Sequence, residues 1–321
     1  VSALLLCLAV AFVFLNGRND GAALAAVPFQ TARKPLLGQL LFLWIAIPIV
    51  PYFGLWTVAG SLQEMLDFGG VQAGAAAQLA SITILFATLL TVGASIAARI
   101  PTSITLALVG ALTGVGLADG SGIDTHLVLR VLALGLAAPI VSAALSFLLS
   151  HLPLPISSAK SPHAVLQLLH RIAFGAISLA YSANDGQKIL FTIALVTAAP
   201  VSEASRNLPA GLLAAAVFAV GTVLGLRSSG RFVRHGITAT SSVDLLWTEV
   251  STAATVLGGA ALGTPLSMTQ SMTGGLLGVG VRRSRRAIYW NGILRVCIAW
   301  VWTLPISVLI AFLISSVLSA L

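Results

Sequence analysis

Apolar runs of about 20 residues, separated by short basic or Gly/Pro-rich connections, cover most of this 321-residue chain, and that is the length of helix that crosses a bilayer. Only 8% of the residues are charged, against roughly a quarter in soluble domains, which excludes a soluble globule. The runs are continuous instead of alternating with period two, which excludes an outer-membrane barrel. The chain is therefore expected to be an all-α polytopic membrane protein.

Ten apolar segments can be marked, near 1–27, 36–59, 76–98, 101–118, 127–150, 163–200, 209–226, 245–262, 264–280 and 288–320. Segments 1–27 and 163–200 exceed one simple crossing and are expected to be broken or doubled. If each segment crosses once, Arg33 and Lys34, Lys160 and Arg171, Arg227, Arg231 and Arg234, and Arg282, Arg283, Arg285 and Arg286 all fall on one side. The positive-inside rule makes that side cytoplasmic. Glu64, Asp67, Asp119, Asp124 and the connection from Glu203 to Arg206 fall opposite. Both termini then face away from the cytoplasm, as a multi-pass protein of the cell membrane. These basic loops account for the net charge of +8, so no nucleic-acid partner is expected. Cys7 and Cys297 lie within apolar runs, without disulfide or ligand spacing, and are expected to pack against lipid or core. The first segment has no charged leader or clear cleavage site, so it reads as a span and not as a signal peptide.

The two halves carry matching motifs. Asn19-Asp20 recurs as Asn184-Asp185 at an offset of 165, and Pro101-Thr-Ser-Ile-Thr105 recurs as Pro265-Leu-Ser-Met-Thr269 at an offset of 164. At that second offset Gly110, Gly114 and Gly116 fall on Gly274, Gly278 and Gly280, and Leu112 and Val115 on Leu276 and Val279. Each half holds five segments, an odd number, which turns the second copy upside down relative to the first. The expected architecture is two inverted-topology repeats of about five transmembrane segments, at 1–150 and 163–321, with broken or re-entrant helices and a cytoplasmic linker at 151–162. Such a repeat predicts a site near the bilayer midplane, between the halves.

Asp20 and Asp185 stand in apolar surroundings, where a carboxylate costs several kcal/mol unless a cation, a proton or hydrogen bonds compensate it. Asn19 and Asn184 precede them and add the amide oxygens of a hard-oxygen cation site; the bland alternative is that the acids cap helix breaks beside Gly17, Gly21 and Gly186. The Pro-x-Ser-x-Thr elements read as starts of half-helices. Their free amides, with Ser103, Thr105, Ser267 and Thr269, are the candidate anion ligands. The competing reading is that these hydroxyls bond their own backbone and the glycines serve packing. Arg18 either contacts the anion or Asp20, or snorkels to water. Gln187 is a candidate substrate ligand, and Lys188 a balance for Asp185. Glu249 is either proton-handling or interfacial, and His126, His151, His163, His170 and His235 lack metal spacing and are expected to be solvated or interfacial. No Walker-type phosphate loop occurs, and no enzyme activity is expected.

Asn16-Gly-Arg-Asn-Asp20 and Ala183-Asn-Asp-Gly-Gln-Lys188, with the paired Pro-x-Ser-x-Thr elements, resemble the inorganic phosphate transporter family over almost the whole chain. The resemblance implies a secondary transporter that carries phosphate with a sodium ion or a proton and has no other cofactor. It also implies inverted repeats around a central oxyanion, with Asn19, Asp20, Asn184 and Asp185 at the cation and substrate centre beside Ser103, Thr105, Ser267 and Thr269. The chain departs from the family pattern in having Arg18 for an aromatic residue and Ala23 for an asparagine. It also has Pro-Thr-Ser-Ile-Thr-Leu and Pro-Leu-Ser-Met-Thr-Gln where the family has Pro-Val-Ser-Thr-Thr-His. A hydroxyl and an imidazole are thus altered in both copies, which leaves sulfate as a competing substrate. Phosphate can donate a hydrogen bond to Asp20 or Asp185 and sulfate cannot, which favours phosphate. A passive anion channel and a non-transporting receptor or scaffold are the rival classes, and the Gly-rich faces are compatible with a homodimer.

Overall fold

The computed structural model describes residues 3–31, 37–67, 74–98, 102–118, 124–154, 161–235, 238 and 240–320. Expectations for Arg33, Lys34, Pro101, Asp119 and Lys160, and for the side chains of Asp67, Arg227, Arg231, Arg234 and His235, lie outside the described residues. In chain order the helices are α1 (Ala3–Asn16), α2 (Ala22–Thr31), α3 (Leu37–Tyr52), α4 (Thr57–Asp67), α5 (Ala75–Ala97), α6 (Ile104–Ala118) and α7 (Thr125–Leu149). They continue as α8 (Pro162–Tyr181), α9 (Gln187–Thr197), α10 (Val201–Ala204), α11 (Leu208–His235), α12 (Ser242–Ala261), α13 (Met268–Arg283) and α14 (Trp290–Ser319).

The molecule is an all-helical, multi-pass membrane protein. Among the described residues six helices are long and apolar enough to cross a bilayer, taking α1 with α2 and α8 with α9 as continuous, or seven if α3 and α4, bent by 64° at their junction, are counted as one span. That is fewer than the ten single crossings expected. Segments 101–118 and 264–280 become α6, of 15 residues, and α13, of 16. At 1.5 Å per residue such helices fall short of a hydrocarbon core of about 30 Å. α12 spans 20 residues but carries Asp244 and Glu249 and is buried along most of its length, so protein and not lipid surrounds it.

The two long segments carry π-helical turns at matching places without being interrupted. α1 runs into α2 through a single-turn π-bulge at Gly17–Gly21, where Ala22 N–H reaches back to Gly17 O. α8 runs into α9 through another at Ser182–Gly186. Each bulge holds one Asn-Asp pair. A π-bulge keeps the helix continuous, so few backbone groups are orphaned in the apolar interior, while the widened turn directs side chains inward.

Packing crosses between the halves. α6 packs chiefly on α14, α13 on α7, and the first bulge with its flanking helices on α11. Glycines permit these approaches. A Cβ at Gly114 would stand 2.3 Å from Val308 O, and one at Gly278 would stand 2.1 Å from both Ala143 O and Ser146 Oγ. Gly17 and Gly221 are equally tight, against Phe218 O at 2.1 Å and Phe14 O at 2.2 Å. With no hydrophobic drive between helices in lipid, such backbone contact supplies the association through dispersion. Hydroxyls reinforce it, with Ser307 Oγ donating to Ala107 O at 2.6 Å and Ser146 Oγ to Gly275 O at 2.8 Å.

The glycine contacts make a direct prediction. Gly278→Leu is expected to lower stability by at least about 1–3 kcal/mol through overpacking, seen as a lower thermal midpoint in detergent. Gly258→Leu, where a Cβ meets nothing within 4 Å, is expected to leave that midpoint in place.

Candidate functional site

The extended residues Thr264–Ser267, between α12 and α13, meet the second bulge and the start of α6. Asn184 Nδ2 donates to Leu266 O at 2.7 Å and to Asp185 Oδ2 at 2.9 Å, and Asn184 Oδ1 accepts from Leu266 N–H at 2.9 Å. One side-chain amide therefore satisfies both peptide groups of Leu266, as a neighbouring strand would, where no water is at hand to do it.

Lys188, one turn beyond Asp185 on α9, is fully buried. Its Nζ donates to Asp185 Oδ1 at 2.5 Å, Thr105 Oγ1 at 2.6 Å and Leu266 O at 2.7 Å. Thr105 Oγ1 also donates to Leu266 O at 3.2 Å. Asp20 is 3% exposed and lies within electrostatic range of Asp185 and Lys188, while its hydrogen bond comes from Asn19 Nδ2 at 2.8 Å. The two bulges thus bring two acids and one lysine together in a buried centre.

The Pro-x-Ser-x-Thr elements begin helices as expected. Ser103 Oγ accepts from Leu106 N–H at 3.2 Å at the start of α6, and Ser267 Oγ from Gln270 N–H at 3.4 Å at the start of α13. Ser267 Oγ and Thr269 Oγ1 lie 3.1 Å apart. Ser103, Thr105 and Ser267 are buried and Thr269 is half-buried. Two helix N-termini, each a source of partial positive charge, are therefore tied to the acid–lysine centre, α6 through Thr105 and α13 through Leu266.

Two candidate substrate ligands stand elsewhere. Arg18 is exposed, on the outside of the first bulge, in keeping with the snorkelling alternative. Gln187 Oε1 accepts from Val58 N–H at 2.8 Å and Ala59 N–H at 3.1 Å, and its Nε2 donates to Ala183 O. Gln187 therefore caps the first turn of α4 and is not directed to the centre, because orphan amides at a buried helix start need an acceptor.

Sequence reasoning missed a buried pair. His126, His151 and His163 are exposed, as expected, but His170 is buried. His170 Nδ1 lies 2.7 Å from Glu249 Oε2, and Nε2 lies 2.9 Å from Ser242 O. Glu249, 1% exposed, is enclosed by protein, and among the described residues its Oε1 has no partner. The signal was available in the stripe His170, Phe174, Ile177 and Tyr181, which recurs with helical spacing on the buried face of α8. Among the described residues, no group of three or more His, Cys, Asp or Glu side chains is arranged to hold a metal ion. Cys7 and Cys297 are exposed on the helix exteriors.

Residues 155–311 match the phosphate transporter family. A "Probable low-affinity inorganic phosphate transporter" of Rhizobium meliloti (strain 1021) is 29% identical, across 96% of this chain and 94% of the relative. A protein of the same description from Bacillus subtilis (strain 168) is 24% identical, across 95% and 93%. A solved structure described as "The sodium-dependent phosphate transporter" superposes with a TM-score of 0.77 over 100% of both chains at 17% identity, so the fold is shared.

His170→Leu is expected to destabilise the protein by about 3–5 kcal/mol, because it strands the buried Glu249 carboxyl. Adding Glu249→Leu should restore part of that loss, a non-additivity that thermal unfolding of the two variants and their double would register. Gln187→Leu should cost about 1–3 kcal/mol by orphaning the two amides of α4.

Proposed function

We propose that the chain is a member of the phosphate transporter family, which its residues 155–311 match, and that it imports inorganic phosphate across the cell membrane by alternating access, coupled to a sodium ion or a proton. It is a transporter and not an enzyme. The observation that carries the mechanism is the convergence of the two Asn-Asp bulges with the starts of α6 and α13. In this reading the free amides and hydroxyls of the helix starts, with Ser103, Ser267 and Thr269, hold the oxyanion without placing a full positive charge on each ligand, and Thr105 joins them by releasing its hydrogen bond to Leu266 O. A coupling cation at the Asn19-Asp20 and Asn184-Asp185 centre lowers its negative charge, so the anion and cation bind more readily together than apart. That mutual dependence is the source of coupling.

We also propose that residues 1–150 and 163–321 are inverted-topology repeats. Supporting this, each bulge falls at the same place in its half, and α6 and α13 begin at the 164-residue offset. The glycine pairs Gly110/Gly114 and Gly274/Gly278 make equivalent contacts, on α14 and α7 respectively. A site between such halves is reached from opposite sides as one arrangement exchanges for the other. The basic connections support a cytoplasmic linker at 151–162 and termini on the outer side. The choice of phosphate over sulfate rests on the two acids, which accept a hydrogen bond only from a protonated oxyanion.

Labelled-phosphate uptake into proteoliposomes, with sodium and proton gradients imposed separately, tests the proposal. Wild-type protein should accumulate phosphate under at least one gradient, and sulfate poorly under both. Asp20→Asn and Asp185→Asn should each lower coupled uptake by roughly a hundredfold or more, the scale of about 3 kcal/mol for disrupting a buried charged centre. Normal ion-driven uptake by either variant would remove these acids from the mechanism.

A further inference from the structure

The two Asn-Asp bulges are alike in sequence and differ in one respect: the second is already occupied. Lys188 Nζ has three oxygen partners of three kinds, a carboxylate, a hydroxyl and a backbone carbonyl, at 2.5–2.7 Å. Those are hard oxygen donors of the sort that hold an alkali cation at unwound membrane backbone. An ammonium has three N–H groups, and all three are engaged here, so none is left for an anion. The side chain is 0% exposed, so bulk solvent does not reach the arrangement.

The first bulge has no such cation of its own. At the 165-residue offset the position of Lys188 is Ala23, and that of Gln187 is Ala22. Among the described residues Asp20 receives a hydrogen bond from Asn19 and forms no ion pair. One acid of the pair is thus balanced by the chain and the other is left to an ion from solution.

We infer that the Lys188 ammonium is a tethered cation that fills the ion site of the second bulge, so that this chain takes up at most one sodium ion, at the Asp20 side. The inference rests on the transport reading above and narrows it. A cation that cannot leave contributes to anion binding in both inward and outward arrangements and contributes nothing to coupling. Only the ion at Asp20 can then link the phosphate gradient to an ion gradient. A lysine serving as a direct anion ligand would instead be expected to keep a free N–H directed at the substrate.

The test counts ions. Equilibrium binding of radiolabelled sodium to the purified wild-type chain, with and without phosphate, should saturate at no more than one per chain, and any sodium activation of uptake should have a Hill slope of one. Lys188→Ala vacates the site and should bind one sodium more than wild type. Its phosphate uptake in choline medium should fall by at least about tenfold and recover when sodium or methylammonium is supplied, a coupling of ordinary size. Lys188→Met fills the same volume without charge and should recover with neither. Two or more sodium ions on the wild type, or an unchanged count in Lys188→Ala, would overturn the inference. If Lys188→Ala cannot be purified, the wild-type count and Hill slope decide the matter. If the counts follow expectation while the wild type moves no phosphate under any gradient, the tethered cation stands and the phosphate reading falls.

Discussion

Inside a bilayer no water is available to satisfy a peptide group that leaves a helix, and the centre of this protein is built around that constraint. Residues Thr264–Ser267 run extended between two helices, and their exposed backbone is met by Asn184 and Lys188, both on the helix that runs through the second π-bulge. Without that bulge Asn184 would not sit where its amide pairs with both peptide groups of Leu266. Without the clamp, the start of α13 would have no fixed relation to the acids. The geometry proposed to bind ions is therefore the same geometry that makes a broken helix tolerable in lipid.

Much of this was legible in the sequence for a physical reason. Duplicated Asn-Asp pairs and Pro-x-Ser-x-Thr elements stand out because polar residues are expensive in apolar runs and persist only where something uses them. The matched glycines were legible in the same way, and they prove to be contacts within the chain, Gly114 against Val308 and Gly278 against Ala143. Hydropathy alone overcounted spans, since a buried helix such as α12 and a short one such as α6 carry nearly the same apolar content as a full crossing. Adjacent residues also proved hard to separate. Gln187 and Lys188 are neighbours in sequence, but about 100° apart around a helix, so one caps α4 and the other enters the centre. His170 read as solvated or interfacial because its polar neighbours masked the helical stripe it belongs to.

The charge arrangement is asymmetric within a symmetric frame. Two acids and one lysine sum to −1 when all are ionised, which the two helix starts offset by about +0.5 each, so in the proposed mechanism one further cation is what makes the centre positive enough to favour an anion. Burial makes the dependence steep, because little solvent screens the groups from one another. Glu249 and His170 form a second buried polar pair, joining α8 to α12.

The glycine-mediated contacts carry a consequence for motion. α6 is joined to α14 and α7 to α13 by backbone-to-backbone contact, and each pair takes one member from each half of the chain. Close-packed surfaces of this kind move as units and do not slide. In the proposed alternating-access cycle, the bodies that rock against each other are consequently mosaics, each assembled from both halves, and the boundary between them does not follow the boundary between the halves. Chain continuity between the halves is then a tether more than a hinge, and in the proposed cycle the flexing falls to the segment Thr264–Ser267 that enters α13, beside the proposed ion site.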